Sequence, residues 1–269
     1  MDRQRQERPM GSYVVTGSAS GIGSATADRL RGQGHRVTGI DRAGADVDAD
    51  LGSPDGRSRA LQEVTRSLTT LDGVVCCAGI PGAAERDGAD LVSVNYFGTV
   101  DLLTGLRPML AAGEAPAAVC ISSNSVSCQP GWPAEVAEAC LAGDEAAARK
   151  LATGTEAVHV YPATKAALAW WTRQQGVSED WIGSGIRLNA VAPGMVETGM
   201  TAEMRRDPEF AELLDSYPLP VGRPGRPEEV AAAIGFLLSA QASLCCGSVL
   251  FVDGGTDALF NPRRPAPMG

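Results

Sequence analysis

Seven short β-rich apolar runs recur along this chain, at residues 13–16, 36–41, 47–51, 74–77, 117–122, 186–192 and 248–252. Helical segments separate most of them: 22–30, with Ile22, Ala25, Ala27 and Leu30 on one periodic face, then 55–68, 90–112 and 227–239. Strands that alternate with helices need crossover connections, and these lay the strands parallel in one sheet with helices on both faces. The predicted architecture is therefore α/β: a single doubly wound domain with a parallel sheet of about seven strands. At 269 residues and 44% hydrophobic, the chain carries enough apolar surface for one such core. Residues 1–10 and the Pro-rich stretch 261–269 are expected to be flexible ends.

Charge narrows the function classes. A net charge of -9 argues against nucleic acid or an anionic membrane as the main partner. No run of about 18 apolar residues is present to span a bilayer. The Arg-rich start has no apolar stretch of the kind a secretory signal needs, so a cytoplasmic location is expected. Seven cysteines show no CxxC spacing, and with only His35 and His159 beside them no metal site is expected.

The first turn is rich in small residues. Thr16-Gly17-Ser18-Ala19-Ser20-Gly21-Ile22-Gly23 follows a strand and opens a helix. Glycines there let a backbone approach a pyrophosphate, and free N–H groups at the helix start attract it. Asp41, at the end of the second strand, is placed to accept hydrogen bonds from both adenosine ribose hydroxyls and to repel a 2′-phosphate. NAD is the cofactor this predicts, with Arg42 next door as a charge that offsets some of the repulsion.

Near the middle of the chain, Tyr161 and Lys165 stand four residues apart and so share one helix face. The chain has only two lysines, Lys150 and Lys165, so the spacing is unlikely to arise by chance. A cation beside a phenol favours the phenolate, which would let Tyr161 exchange a proton with an alcohol or carbonyl near neutral pH.

Taken together these motifs resemble the short-chain dehydrogenases/reductases, from about residue 11 to residue 257. Thr16 to Gly23 is similar to the family's TGxxxGxG, Tyr161 to Lys165 to its YxxxK, Asn189 to Gly194 with Thr198 to its NxxxPGxxxT, and Val252 to Gly255 to its last strand. The resemblance implies a Rossmann-type fold and a set of roles. Tyr161 is the acid/base, Ser123 hydrogen-bonds the reacting oxygen, Lys165 holds the nicotinamide ribose, and Asn95 anchors a water leading to solvent. It implies cofactor contacts at Gly17, Ser20, Gly21, Ile22, Gly23, Asp41, Arg42, Asp50, Leu51, Ala78, Gly79, Pro193, Gly194, Val196 and Thr198, beside Tyr161 and Lys165. Thr198 has an alternative reading as a helix cap, and Ser122 and Ser125 are rejected in favour of Ser123. Where the family often has asparagine after its fourth strand this chain has Cys77, which bears on stability rather than chemistry.

The spacing from Ser123 to Tyr161 is roughly twenty-five residues longer than in most members, through a segment at 128–156. Its Ala/Glu-rich run, 134–150, is expected to be largely helical. It leaves the serine strand and enters the tyrosine helix, so it is expected to wall the substrate pocket, with Trp132 as a lining residue, or else to remake a subunit contact. Met195 and Met200 belong to a stretch expected to close over an apolar substrate. Similar insertions are found in the hydroxysteroid dehydrogenase/carbonyl reductase and coniferyl-alcohol dehydrogenase branches of the family. The function expected is an NAD(H)-dependent oxidoreductase acting on a bulky hydrophobic alcohol or its carbonyl, as a homodimer or homotetramer. The alternatives are an aryl/allylic (coniferyl-type) alcohol dehydrogenase and a non-catalytic nucleotide-binding regulator on the same fold.

Overall fold

The computed structural model describes residues 10–83 and 85–264. Seven parallel strands form one sheet: β1 (Ser12–Thr16), β2 (Arg36–Asp41), β3 (Val47–Asp48), β4 (Gly73–Cys76), β5 (Ala117–Ile121), β6 (Arg187–Pro193) and β7 (Val249–Val252). Their order is β3-β2-β1-β4-β5-β6-β7, so the winding reverses between β1 and β4, where Thr16 lies opposite Cys76. A crevice opens at such a reversal beyond the carboxyl ends of the strands, and this is where doubly wound sheets bind ligands. β4, β5 and β6 are buried on both faces, which is why each reads as a nearly unbroken apolar run.

Alternate strand residues feed two cores. Val15, Val75, Val119 and Val191 meet α1 (Gly21–Gly32) and α11 (Pro227–Leu238) through Ala27, Leu30, Val230 and Ile234. Val14, Val74, Ala118 and Cys120 meet α2 (Pro54–Ser67), α4 (Gly98–Ala111) and α8 (Ala157–Gln175) on the other face.

Three predicted elements change in detail. The strand expected at 47–51 ends at Asp48, because Asp50 and Gly52 turn the chain and Ser53 caps α2 on the Gly56 N–H. The single helix expected at 90–112 is a short α3 (Gly88–Leu91), a π-helical turn at Val92–Phe97, and then α4. The Ala/Glu-rich run is two helices, α6 (Ala134–Leu141) and α7 (Glu145–Ala152), broken where Gly143 takes φ +74 and Asp144 caps α7. Their apolar faces, with Val136, Ala137, Cys140, Ala148 and Ala152, join the α8-side core.

Short helices complete the chain: α5 (Ser125–Cys128) after β5, α9 (Gly199–Met204) and α10 (Pro208–Ser216) in the stretch expected to form a lid, and α12 (Thr256–Phe260). Residues 1–9 and 265–269 lie outside the described residues. Asn261, expected in the flexible tail, is tied down: its amide donates to the Ser127 carbonyl oxygen at 3.1 Å.

Candidate active site

The glycine turn sits at the β1/β4 crevice. Gly17 takes φ +66 and a Cβ there would lie 2.8 Å from the Ala78 nitrogen, while a Cβ on Gly23 would lie 2.1 Å from the Gly17 oxygen. Neither position tolerates a side chain, so the turn stays narrow enough for a pyrophosphate to lie against backbone. Ser20 is the N-cap of α1 with extended backbone and no side-chain cap bond, leaving the first N–H groups of the helix, including Ile22, unclaimed by a cap. Gly21 faces Thr198 across the crevice, its Cβ position 3.5 Å from the Thr198 methyl.

At the tip of β2, the Asp41 carboxylate accepts from the Ala19 N–H at 3.0 Å and from the Arg42 N–H at 2.7 Å. The acid is thereby fixed against the glycine turn, where a ribose would meet it. Asp50 and Leu51 border the same end; Arg42, Asp48, Asp50 and Arg59 line a surface pocket there. Ala78 closes the crevice from β4, donating to the Thr16 hydroxyl at 3.0 Å. The fit to a dinucleotide is good: a backbone cradle without room for side chains, open N–H groups, and a carboxylate at the ribose end.

The catalytic candidates converge at the other end. Ser123 follows β5; its hydroxyl accepts from the Ser125 N–H at 3.1 Å and lies near enough to the Tyr161 phenol to favour its ionised form. Ser122 points the other way, donating to the Lys165 carbonyl oxygen at 2.9 Å from a buried position. The two serine hydroxyls thus have different partners. Lys165, 4% exposed, donates to the Ile121 carbonyl oxygen at 2.9 Å and lies over the Tyr161 ring, 5.7 Å from its centroid. Asn95 is fully buried on the π-helical turn. Its Oδ1 accepts from the Ile80 N–H at 2.8 Å and its Nδ2 donates to the Ile80 carbonyl oxygen at 3.1 Å. Gly79 fits between Asn95 and Lys165, with its Cβ position 3.1 Å from Asn95 Oδ1 and 3.5 Å from Lys165 Nζ.

Electrostatics correct one expectation. The Tyr161 phenol is not depressed: burial pushes it above its ordinary value, and the Ser123 hydrogen bond offsets only part of this. Lys165 moves instead, lowered to about 8, because burial disfavours its ammonium more than the neighbouring Cys120 and Cys77 favour it. Of the pair, Lys165 is thus the first to release a proton.

The remaining candidates divide. Pro193 ends β6, and Gly194 donates to the Val252 carbonyl oxygen at 3.2 Å. Val196 is buried and bridges to Gly225. Thr198 is also a helix cap, accepting from the Thr201 N–H and opening α9 with a capping box. Met195 and Met200 are half-buried around this turn. Trp132 is not brought to Ser123 or Tyr161. Its indole packs on Trp170, ring centroids 5.7 Å apart, nine residues further along α8. At 1.5 Å per residue that is about 14 Å from Tyr161 along the helix axis. Trp170 therefore faces the inserted segment, while Trp171 packs edge-on to Trp181 at 5.6 Å.

Sequence reasoning missed Gly82, whose Cβ position is 2.9 Å from the Tyr161 Cβ, so that the loop after β4 roofs the catalytic helix. It also missed Arg86, which spans from that loop to Glu203 of α9 at 2.7 Å. Neither position belongs to a motif, and only the path of the loop reveals them. Among the described residues no cluster of His, Cys, Asp and Glu is arranged to hold a metal, and no helix is long and apolar enough to cross a membrane.

Comparison with known proteins agrees with this geometry. Residues 12–137 match the family described as short chain dehydrogenase, and residues 146–257 the family described as Enoyl-(Acyl carrier protein) reductase. The chain is 37% identical over 259 residues to a 3-alpha-hydroxysteroid dehydrogenase/carbonyl reductase of Comamonas testosteroni, covering 95% of this chain and 100% of that protein. It is 30% identical over 266 residues to a coniferyl-alcohol dehydrogenase of Pseudomonas sp. (strain HR199), covering 92% and 96%. The crystal structure of the 3-alpha-hydroxysteroid dehydrogenase from Pseudomonas sp. B-0831 complexed with NADH superposes with a TM-score of 0.88 at 45% identity, covering 96% of this chain and 100% of that one.

Proposed function

Because the chain belongs to the short-chain dehydrogenase/reductase family, we propose that it interconverts a bulky hydrophobic secondary alcohol and its ketone, with NAD(H) as cofactor. The observation that carries this reading is the convergence of Asn95, Ser123, Tyr161 and Lys165 at the end of the crevice whose other end holds Asp41. A binding-only protein has no use for a buried lysine poised near pH 8 beside a phenol. NAD, when bound between Asp41 and Lys165, would supply the hydride acceptor.

Ser123 and Tyr161 hold the substrate oxygen between them, which fixes its carbon toward the crevice. In oxidation the alcohol proton passes to the Tyr161 hydroxyl oxygen while a proton leaves toward Lys165, which also orients the nicotinamide ribose. In reduction Tyr161, kept protonated by burial, delivers the proton to the carbonyl oxygen. Asn95, locked to the backbone of Ile80, places the water through which Lys165 exchanges with solvent. Val196 and Thr198 select the nicotinamide face, and Met195 and Met200 adapt to an apolar ligand. The names of the two relatives, a 3α-hydroxysteroid dehydrogenase/carbonyl reductase and a coniferyl-alcohol dehydrogenase, support a steroid-sized alcohol first and an aryl-allylic one second. The enzyme acts in the cytoplasm as a homodimer or homotetramer; the exposed Leu250 on the edge strand β7 supports self-association.

A screen of steroid, aryl and allylic alcohols with NAD, followed by absorbance of the reduced cofactor, tests this reading. Turnover of a 3α-hydroxysteroid is the expected result. Turnover of coniferyl-type alcohols alone would move the assignment to the second class. Binding of NADH without turnover of any alcohol would leave a nucleotide-binding regulator.

A further inference from the structure

Glu145, at the start of α7 in the inserted segment, touches no motif residue, yet it is the hub of a network that reaches both ends of the crevice. Its carboxylate pairs with Arg57 of α2 through both oxygens, at 3.3 and 2.5 Å, and accepts from the Ser93 hydroxyl at 2.7 Å. Arg149, one turn further along α7, donates to the same Ser93 oxygen at 2.5 Å and to the Ala89 carbonyl oxygen at 3.0 Å. The buried Ser93 hydroxyl is thus held on both sides by the insert. Ser93 lies on the π-helical turn two residues before Asn95.

The second arm runs toward the adenosine end. Arg57, with only 5% of its side chain exposed, also donates to the Leu51 carbonyl oxygen at 3.3 Å and pairs with Asp101 at 2.8 Å. The Leu51 carbonyl oxygen lies 2.9 Å from the Cβ position of Gly98, directly after the π-helical turn. Val94 of that turn comes within 2.9 Å of the Cβ position of Gly52. A buried arginine needs every donor answered, and losing one carboxylate leaves charge unpaired at low dielectric. The strain of that loss falls on the two segments that Arg57 and Ser93 hold.

We propose that Glu145 is a positioning residue: through Ser93 it sets the π-helical turn that carries Asn95, and through Arg57 it sets the Asp50–Leu51 loop that meets adenosine. The inserted segment is in this sense a brace for the active site. The proposal rests on the dehydrogenase reading above.

The test compares wild type with Glu145→Gln, Glu145→Ala, Ser93→Ala and Arg57→Lys in the intact protein. Three quantities are measured: NADH Kd by fluorescence, the pH profile of kcat on the best alcohol from the screen, and amide exchange of the ligand-free protein at residues 50–57 and 92–98. Changes of about two- to thirtyfold are the scale that substitutions in such a network produce. Ser93→Ala should lower kcat and shift its pH profile while leaving NADH Kd within about twofold. Arg57→Lys should weaken NADH and leave kcat nearly unchanged. Glu145→Ala should do both and speed exchange at both segments; Glu145→Gln, which keeps the shape, serves if the alanine variant does not fold. A lowered melting temperature with NADH Kd and the kcat profile unchanged in all variants would show an ordinary structural ion pair and overturn the proposal. If wild type binds no NADH, the cofactor reading fails by itself. The brace is then judged on exchange, and unchanged exchange at both segments overturns it.

Discussion

Of Tyr161 and Lys165, the lysine loses its proton first, near pH 8, because burial disfavours its ammonium. Alcohol oxidation needs the pair short of a proton and ketone reduction needs it full. We therefore predict that kcat/KM for oxidation rises with pH through about 8, while that for reduction falls over the same interval. Lys165→Arg should move the oxidation limb above pH ~10, because a guanidinium stays charged there. A pH series on both proteins in both directions checks this. Tyr161→Phe should cost at least ~10²-fold in turnover and leave NADH binding intact, since it removes the proton donor and little of the cofactor site. Near-normal turnover in that variant would end the assignment. At the opposite end of the crevice, Asp41→Ala removes a carboxylate that both Ala19 and Arg42 hold in place. The ratio of NAD to NADP efficiency should then narrow by roughly ten- to hundredfold, the effect of relieving about 1–3 kcal/mol of like-charge repulsion.

At the scale of elements, the inserted helices are the part of the chain that the fold uses differently from the simplest expectation. α6 and α7 bury Val136, Ala137, Cys140, Ala148 and Ala152 in the core shared with α8, and Trp132 covers Trp170. A side chain half-buried in that position stabilises the packing of the insert on α8. We predict that Trp132→Ala lowers stability by about 2–3 kcal/mol, less than a fully buried Trp→Ala change. The ratio of activities on a large and a small alcohol should stay constant in that variant. A changed ratio with unchanged stability would return Trp132 to the pocket wall. Replacing the whole of 128–156 by a short Gly/Ser link, with solution mass measured alongside, asks the assembly question separately. A change of mass on deletion marks the segment as one that governs subunit contact.

For the whole molecule, the crevice lies beyond the carboxyl ends of β1 and β4, with one core on each face of the sheet. Gly17 and Ala78 approach it from β1 and β4, and Thr198 approaches Gly21 from the chain beyond β6. A dinucleotide in the crevice would touch segments far apart in sequence, and ligands of the native state alone raise its stability by mass action. NADH at 100 times its Kd should add about 2.7 kcal/mol, or about 5–10 °C in Tm for a chain of this size. NADP at the same concentration should add clearly less. A thermal melt with each nucleotide measures both, and an equal shift from the two would show that Asp41 does not discriminate.

The sequence by itself determined the seven parallel strands, the glycine turn, and the helix face on which Tyr161 precedes Lys165. These depend on local periodicity and on spacings within one element, which the order of residues states directly. It separated Ser123 from Ser122 only by the motif's register; the Ser122 bond to the Lys165 carbonyl gives the reason. Tertiary structure decided what depends on burial and on long-range meetings. That Tyr161 moves up and Lys165 down is set by the water each loses, and burial is a property of the folded surroundings. Asn95 sits on a π-helical turn and gives both ends of its side-chain amide to Ile80, fifteen residues earlier, a meeting that the local pattern does not state. Trp132 sat beside a catalytic strand in the sequence and beside Trp170 in space, since two helices and a glycine turn carry the insert back along α8 before it enters that helix. Proximity along the chain constrains a loop only at its two attachment points. Where its middle goes is decided by which apolar surface it can bury.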